Sequence, residues 1–352
     1  MMTSFKFLEF PFGRYSTLII VAVLSLLPFF YMISVSFMSL GEAINTQIIL
    51  PSEIRVGNYS LAWDQAKFSN YFMNSVIITV CTVFGQLIIC SLAGYAFAVI
   101  NISGRQLVFI LVLVTLMVPE AVLISPLYQI ILGRIIPIEF MNIITLAMIS
   151  LVLFIWIYTV CVLVNSKLKH EINLSRLITS IICIMSVIIF VLVFFSETSR
   201  QLVLKEFNSK TWLNTYTVMI VPFLGNAYSI FLFRQFFKQM PEELWQAARL
   251  DGASHFQYFT RVAIPLNLPA FSIIGMLSFI WSWNSFMWPR LTQLDERGHF
   301  TLPVGLDSFN RDQGTELQLL MAGAMITVIP VLIVYIFGSR LFISSASRVG
   351  IK

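Results

Sequence analysis

Uncharged apolar runs of about 20 residues recur along this chain, the length an α-helix needs to cross a hydrocarbon core of roughly 30 Å. They fall at 15–38, 71–99, 106–132, 137–164, 177–196, 213–237, 265–289 and 317–343. Backbone polar groups find no partner in lipid, so spans of this kind must satisfy them internally as helices. The runs therefore predict an all-α, polytopic membrane protein. Composition agrees, with 58% of residues apolar and 11% charged, the reverse of a soluble domain's balance. The first run follows Lys6 and Arg14. It is long for a signal peptide and no A-x-A-like cleavage site follows, so it reads as a retained anchor.

Alternate loops differ in charge. The set holding Lys6, Arg14, Arg105, Lys167, Lys169, Arg249, Arg261 and Arg340 is the richer in lysine and arginine, whereas Asp295, Glu296, Asp307, Asp312 and Glu316 lie in the other. Basic loops stay in the cytoplasm, which puts both termini and the loop at 241–265 there. The net charge of +5 follows span ends and forms no single patch, so membrane lipid and not nucleic acid is the expected surrounding. Cys81, Cys90, Cys161 and Cys183 all lie inside apolar runs. They lack metal-ligand spacing and read as small hydrophobes. No metal, cofactor or catalytic residue is expected: the chain has three histidines and no paired carboxylates or nucleophile constellation. Nor does it carry the G-x-x-x-x-G-K-[ST] phosphate loop.

Charge inside the spans is nearly absent, with Glu120 in "LMVPE" the main exception. An ionisable group at that depth is a functional candidate. Pro119 marks a helix break, so a carboxylate satisfied near a cavity or the outer interface competes with an ion relay.

The loop "PEELWQAARLDGASHFQYFTRVAIP", 241–265, is polar and ordered where its surroundings are apolar. Pro241 stands where a helix starts, and Glu242 and Glu243 follow in the first turn, where negative charge meets the positive end of the helix dipole. Leu244, Ala247 and Ala248 share a face by i, i+3, i+4 spacing. Asp251–Gly252 stops the helix, with glycine free to turn left-handed. Ser254 and Gln257 have the spacing of a capping box that opens a second helix, and Pro265 ends the loop. Two short helices across a tight elbow, with small alanines that permit close approach, make a docking element.

The same residues resemble the EAA loop of ABC importer permeases: Ala247 and Ala248, three residues, Gly252, nine residues, then Val262, Ile264 and Pro265. The family's glutamate is replaced by Gln246, which leaves shape and hydrogen bonding and removes one charge. "NYFMNSVIITVCTVFGQLIICSLAGYAFA", "GRQLVFILVLVTLMVPEAVLISPLYQI", "FLGNAYSIFLFRQFFKQMP", "WSWNSFMWP" and "TLPVGLDSF" extend the likeness to carbohydrate-uptake permeases, especially the second permease subunit of maltose-type systems. The resemblance implies a six-span permease core in a bacterial inner (plasma) membrane. It also implies a second permease as heterodimer partner, two ATPase subunits that receive the EAA loop, and an extracytoplasmic binding protein delivering a sugar-like solute. ATP would be hydrolysed on the partners while this chain, non-catalytic, forms half of the pathway.

One departure stands in the middle. The runs 137–164 and 177–196, joined by a basic hinge, interrupt an interval that is short in the family. They predict an inserted helical hairpin at 134–210, and about eight transmembrane helices in one permease domain, 1–352. The core spans then lie at 15–38, 71–133 and 211–343. A pathway patch is expected from Trp281, Asn284 and Trp288, with Glu120, since sugar sites favour aromatic faces and a few hydrogen bonders. An interfacial aromatic belt accounts for the same residues. Another polyol or a glycerol phosphoester remains an alternative cargo, and an ion-coupled carrier an alternative class.

Overall fold

The computed structural model describes residues 11–45, 47–101, 103–132, 212–294, 299–311 and 314–349. The inserted hairpin expected at 134–210 lies outside the described residues. Among the described residues regular structure is helical apart from an antiparallel pair of two-residue strands, with Asn310 opposite Thr315 and Arg311 opposite Gly314.

Among the described residues three helices are long and apolar enough to cross a membrane unbroken: Tyr15–Ser36 within α1 (Pro11–Ser36), α4 (Phe68–Ala98), and Leu317–Gly338 at the start of the last helix. Three more candidate spans are bent pairs. Arg105–Thr115 (α5) and Glu120–Ile131 (α6) meet at 100°, Tyr216–Phe223 (α7) and Ala227–Lys238 (α8) at 42°, and His255–Leu266 (α10) and Leu268–Trp283 (α11) at 79°. The first break falls at Pro119, as the sequence implies. The second interrupts what reads as one continuous run at 213–237. Pro222 and Gly225 bracket it, residues that respectively remove a donor and lower helix propensity.

Two compact units divide the described residues. The first draws on 1–73 and 301–333. Its helix α2 (Leu40–Ile44) is pinned by a polar cap, and α3 (Gly57–Gln65) by a side chain of its first turn. Ser39 and Glu42 form a capping box, and Asn58 Nδ2 donates to the carbonyls of Ser36 and Met38, each at 2.8 Å. Val35, Met38 and Ala43 pack with Leu317 and Met321. "TLPVGLDSF" supplies buried Leu302 and Phe309, with Phe309 edge-on to Phe68. Gly305 is required there, because a Cβ would lie 2.7 Å from the Tyr71 ring.

The second unit draws on 74–300 and 334–352 and is built round α4. In the most apolar window of that helix 39% of residues are buried, against 11% in α1, so α4 carries packing partners along its length. One apolar cluster gathers Ile78, Ile131, Trp212, Val218, Met219 and Trp288. Another gathers Cys90, Tyr95, Phe233, Phe237, Tyr258, Phe259, Ala263 and Ile274. Gly94 permits the closest approach, since a Cβ there would sit 2.5 Å from Phe233 Cβ and 2.9 Å from the Arg234 backbone nitrogen. Arg105 at the head of α5 donates to the Ala98 and Ile100 carbonyls at the end of α4, where a cation meets the negative end of the dipole.

Candidate functional site

The loop at 241–265 folds into the expected elbow. Helix α9 (Glu242–Leu250) starts after Pro241 with two glutamates in its first turn. It ends in a Schellman motif: Gly252 N–H donates to the Arg249 carbonyl at 3.0 Å and Ala253 N–H to the Ala248 carbonyl at 2.9 Å. Gly252 has φ +75 and no atom within 4 Å of where a Cβ would stand. Glycine is needed there for its backbone conformation and not for space. Helix α10 then opens on a reciprocal capping box. Ser254 Oγ accepts from Gln257 N–H at 3.2 Å while Gln257 Oε1 accepts from Ser254 N–H at 2.9 Å.

The middle of α10 widens into a π-helical stretch, Phe259–Ala263, immediately before Pro265. A π turn relaxes the ladder just where proline cannot donate. Asn267 then holds the bend into α11, its Nδ2 on the Ala263 carbonyl at 2.9 Å.

What locks the elbow is aromatic. Trp245 stacks on the His255 ring across the turn, centroids 4.2 Å apart, and lies edge-on to Tyr258 at 5.1 Å. From α4, Tyr95 reaches the same histidine, with its hydroxyl 3.2 Å from Nδ1. Trp245 and Ala248 pack on the core formed by Tyr95, Phe233, Phe237, Tyr258 and Phe259. The apolar face read from spacing is therefore split: Ala248 turns inward with Trp245, while Leu244 and Ala247 remain outside. No residue of α9 is fully buried, and Leu250 is 90% exposed. Glu243, Gln246, Ala247, Asp251, Gly252 and Ser254 are all exposed along the elbow, and Pro265 is half-buried at its far end. Trp245, His255 and Tyr95 were not singled out from the sequence. Tyr95 and His255 are 160 positions apart, and only the fold brings them together.

The other candidates separate. Phe223 lies between Trp281 (4.9 Å) and Trp288 (5.8 Å), joining both tryptophans. Trp288 is buried in the apolar cluster of Val218 and Met219, and its indole N–H donates to the Val218 carbonyl at 2.9 Å. Asn284 is exposed and donates to the Ile280 carbonyl of its own helix at 2.9 Å. Glu120 is exposed at the first turn of α6, beside the break, where the helix dipole favours a carboxylate. Beside the cluster that holds Trp288, Tyr216 joins segments distant in sequence: it donates to Asn74 Oδ1 at 2.7 Å and stacks on His299 at 3.7 Å. Burial pushes the His299 imidazole below its ordinary range. Among the described residues no group of three or more His, Cys, Asp or Glu side chains is placed to hold a metal ion.

With this geometry in hand, known proteins are informative. The chain is 28% identical over 336 residues to the arabinooligosaccharides transport system permease protein AraQ of Halalkalibacterium halodurans, covering 94% of this chain and 93% of that one. Over 133 residues it is 33% identical to the sn-glycerol-3-phosphate transport system permease protein UgpE of Pectobacterium atrosepticum, covering 37% and 47%. A solved bacterial ABC transporter involved in the import of the acidic polysaccharide alginate shares the fold, with a TM-score of 0.62 over 97% of this chain and 99% of that one at 20% identity. The profile of the binding-protein-dependent transport system inner membrane component matches residues 172–347, half of the chain. The chain belongs to that family of ABC importer permeases.

Proposed function

We propose that this chain is the non-catalytic membrane subunit of a sugar importer, coupled through the elbow at 241–265 to a separate ATPase. The observation that carries this reading is the contrast between the two faces of α9. Its inner face is locked by Trp245 on His255, whereas its outer face presents Leu244 and a Leu250 that is 90% exposed. A rigid element with an uncovered leucine is built to seat in another protein's pocket. In this arrangement a second permease completes the pathway as a heterodimer and two ATPase subunits take the elbows. An extracytoplasmic binding protein delivers solute, and both termini lie in the cytoplasm.

The cargo reading rests on the breadth of the likeness. The relative named for arabinooligosaccharide transport matches over nearly the whole of both chains, whereas the glycerol phosphate relative matches over 37% of this one. Trp281, half-buried beside Phe223, offers a sugar face, with Asn284 exposed one turn on. Trp288, spent on packing, supports that face from behind, and Glu120 marks a second exposed polar point beside its own helix break. The test is ATP-driven uptake by the assembled complex in proteoliposomes, comparing an arabinooligosaccharide with glycerol 3-phosphate. The expected result is uptake of the oligosaccharide that glycerol 3-phosphate does not displace. Uptake without ATP, driven by an ion gradient, would contradict the reading.

A further inference from the structure

The break between α7 and α8 separates two packing environments. Above it, Val218, Met219 and Phe223 belong with Ile78 and Trp288. Below it, Phe233 and Phe237 of α8 belong with Tyr95, Tyr258 and Phe259, the core on which the elbow sits. α8 then runs to Lys238, and α9 begins at Glu242. The lower arm of the broken span and the elbow are thus parts of one apolar core, and the upper arm is part of another.

At the break the helix ladder is interrupted, and freed carbonyls in a span need replacement donors. They come from α4. Gln86, 1% exposed, donates its Nε2 to the Phe223 carbonyl at 2.7 Å. Cys90 Sγ approaches the Leu224 and Asn226 carbonyls at 3.5 and 3.6 Å and accepts from Asn226 N–H at 3.4 Å. The amide orientation at Gln86 follows from its partner, since a carbonyl requires a donor. Two buried acceptors on α4 have no partner among the described residues, Gln86 Oε1 and, one turn away, Thr82 Oγ1. A fixed structural lock leaves few such groups. A junction that changes partners as it moves has a use for them.

We propose that Gln86 is the positioning residue of a joint in the broken span, and that displacement of the elbow reaches the upper arm through it. The second half of this statement rests on the importer reading, and the first half does not. The joint is a two-arrangement element of the kind coupling requires: the lower arm swings with its core, and the Gln86 amide sets how far Phe223 follows.

The test uses the assembled complex in lipid nanodiscs with two variants. Gln86→Met keeps length and volume and loses the donor, while Gln86→Glu keeps an O–H donor in its neutral form. Backbone hydrogen exchange over Val221–Ser229 and solute moved per ATP hydrolysed are both measured. In Gln86→Met, exchange at the break rises about fivefold and solute per ATP falls by a similar factor, the scale of one buried hydrogen bond. Exchange across 241–265 stays at the wild-type level, which excludes general unfolding, and Gln86→Glu restores both readouts. Unchanged exchange at the break would overturn the joint itself. Faster exchange with unchanged solute per ATP would overturn its part in coupling. If Gln86→Met also loosens 241–265, Gln86→Glu decides alone, and loss of coupling in it with normal exchange counts against the proposal. Failure of the importer reading shows separately, as wild-type protein that moves no solute with ATP.

Discussion

At the scale of single residues the elbow depends on one backbone conformation and one ring stack. Gly252 sits at φ +75, where a Cβ costs about 1–2 kcal/mol, so Gly252→Ala is expected to weaken solute-stimulated ATP hydrolysis and leave it measurable. Gly252→Pro removes the N–H that caps α9 as well and cannot reach positive φ, and it is expected to abolish that stimulation with membrane insertion intact. Normal stimulation in the proline variant would show that the elbow is not where coupling occurs. Trp245→Ala deletes the stack on His255 and the edge contact to Tyr258. Such contacts contribute about 0.5–1.5 kcal/mol each beyond area burial, so the variant should insert normally and lose part of its coupling. Gln246 is exposed, so Gln246→Glu should retain most uptake. Loss of complex assembly in that variant would mean that the partner surface requires a neutral side chain.

At the scale of elements, α4 and α8 are held at a separation set by Gly94. Gly94→Ala drives a methyl against the Phe233 Cβ and the Arg234 backbone, and overpacking of this kind costs about 1–3 kcal/mol. Thermal unfolding in detergent should show the loss, with Gly41→Ala, where a Cβ would meet nothing within 4 Å, as the comparison. In the first unit, Glu42 accepts from the Ser39 backbone and hydroxyl and from Ser52 N–H, which holds its carboxyl down from 4.5 to about 2. A depressed carboxylate stabilises the fold above its unfolded value, and that contribution fades as pH falls from about 4.5 towards 2. Proteolysis of the 40–58 segment should accelerate over that window, and Glu42→Gln should remove the pH dependence.

Much of this was readable from local pattern, and the reasons are physical. Run length picks out three unbroken candidate spans, and up to six if each bent pair is one span, because lipid admits little besides helices. Pro241, Asp251–Gly252 and the Ser254–Gln257 spacing locate the elbow because caps and turns are set by neighbours in sequence. The face of α9 was only half legible, since Ala248 and Leu244 look alike by spacing and Trp245 turns inward only when His255 and Tyr95 are present. The break at Phe223–Asn226 was signalled by Pro222 and Gly225, but their apolar surroundings read through as one span. Glu120 stands at a helix start, directly after the break that Pro119 marks. The bond from the Trp288 N–H to the Val218 carbonyl joins residues 70 positions apart, so the local sequence carries no signal of it.

For the whole molecule, the proposed coupling requires that an ATPase seats on the elbow at 241–265. Leu250 is the most exposed large apolar side chain there, at 90%, so replacing it with a photo-reactive phenylalanine analogue disturbs no internal packing. The decisive measurement is ultraviolet cross-linking from position 250 in the purified, reconstituted importer. The expected result is a covalent product with the ATPase subunit that is lost in Gly252→Pro. Cross-linking only to lipid or to the partner permease, with solute uptake intact, would contradict it.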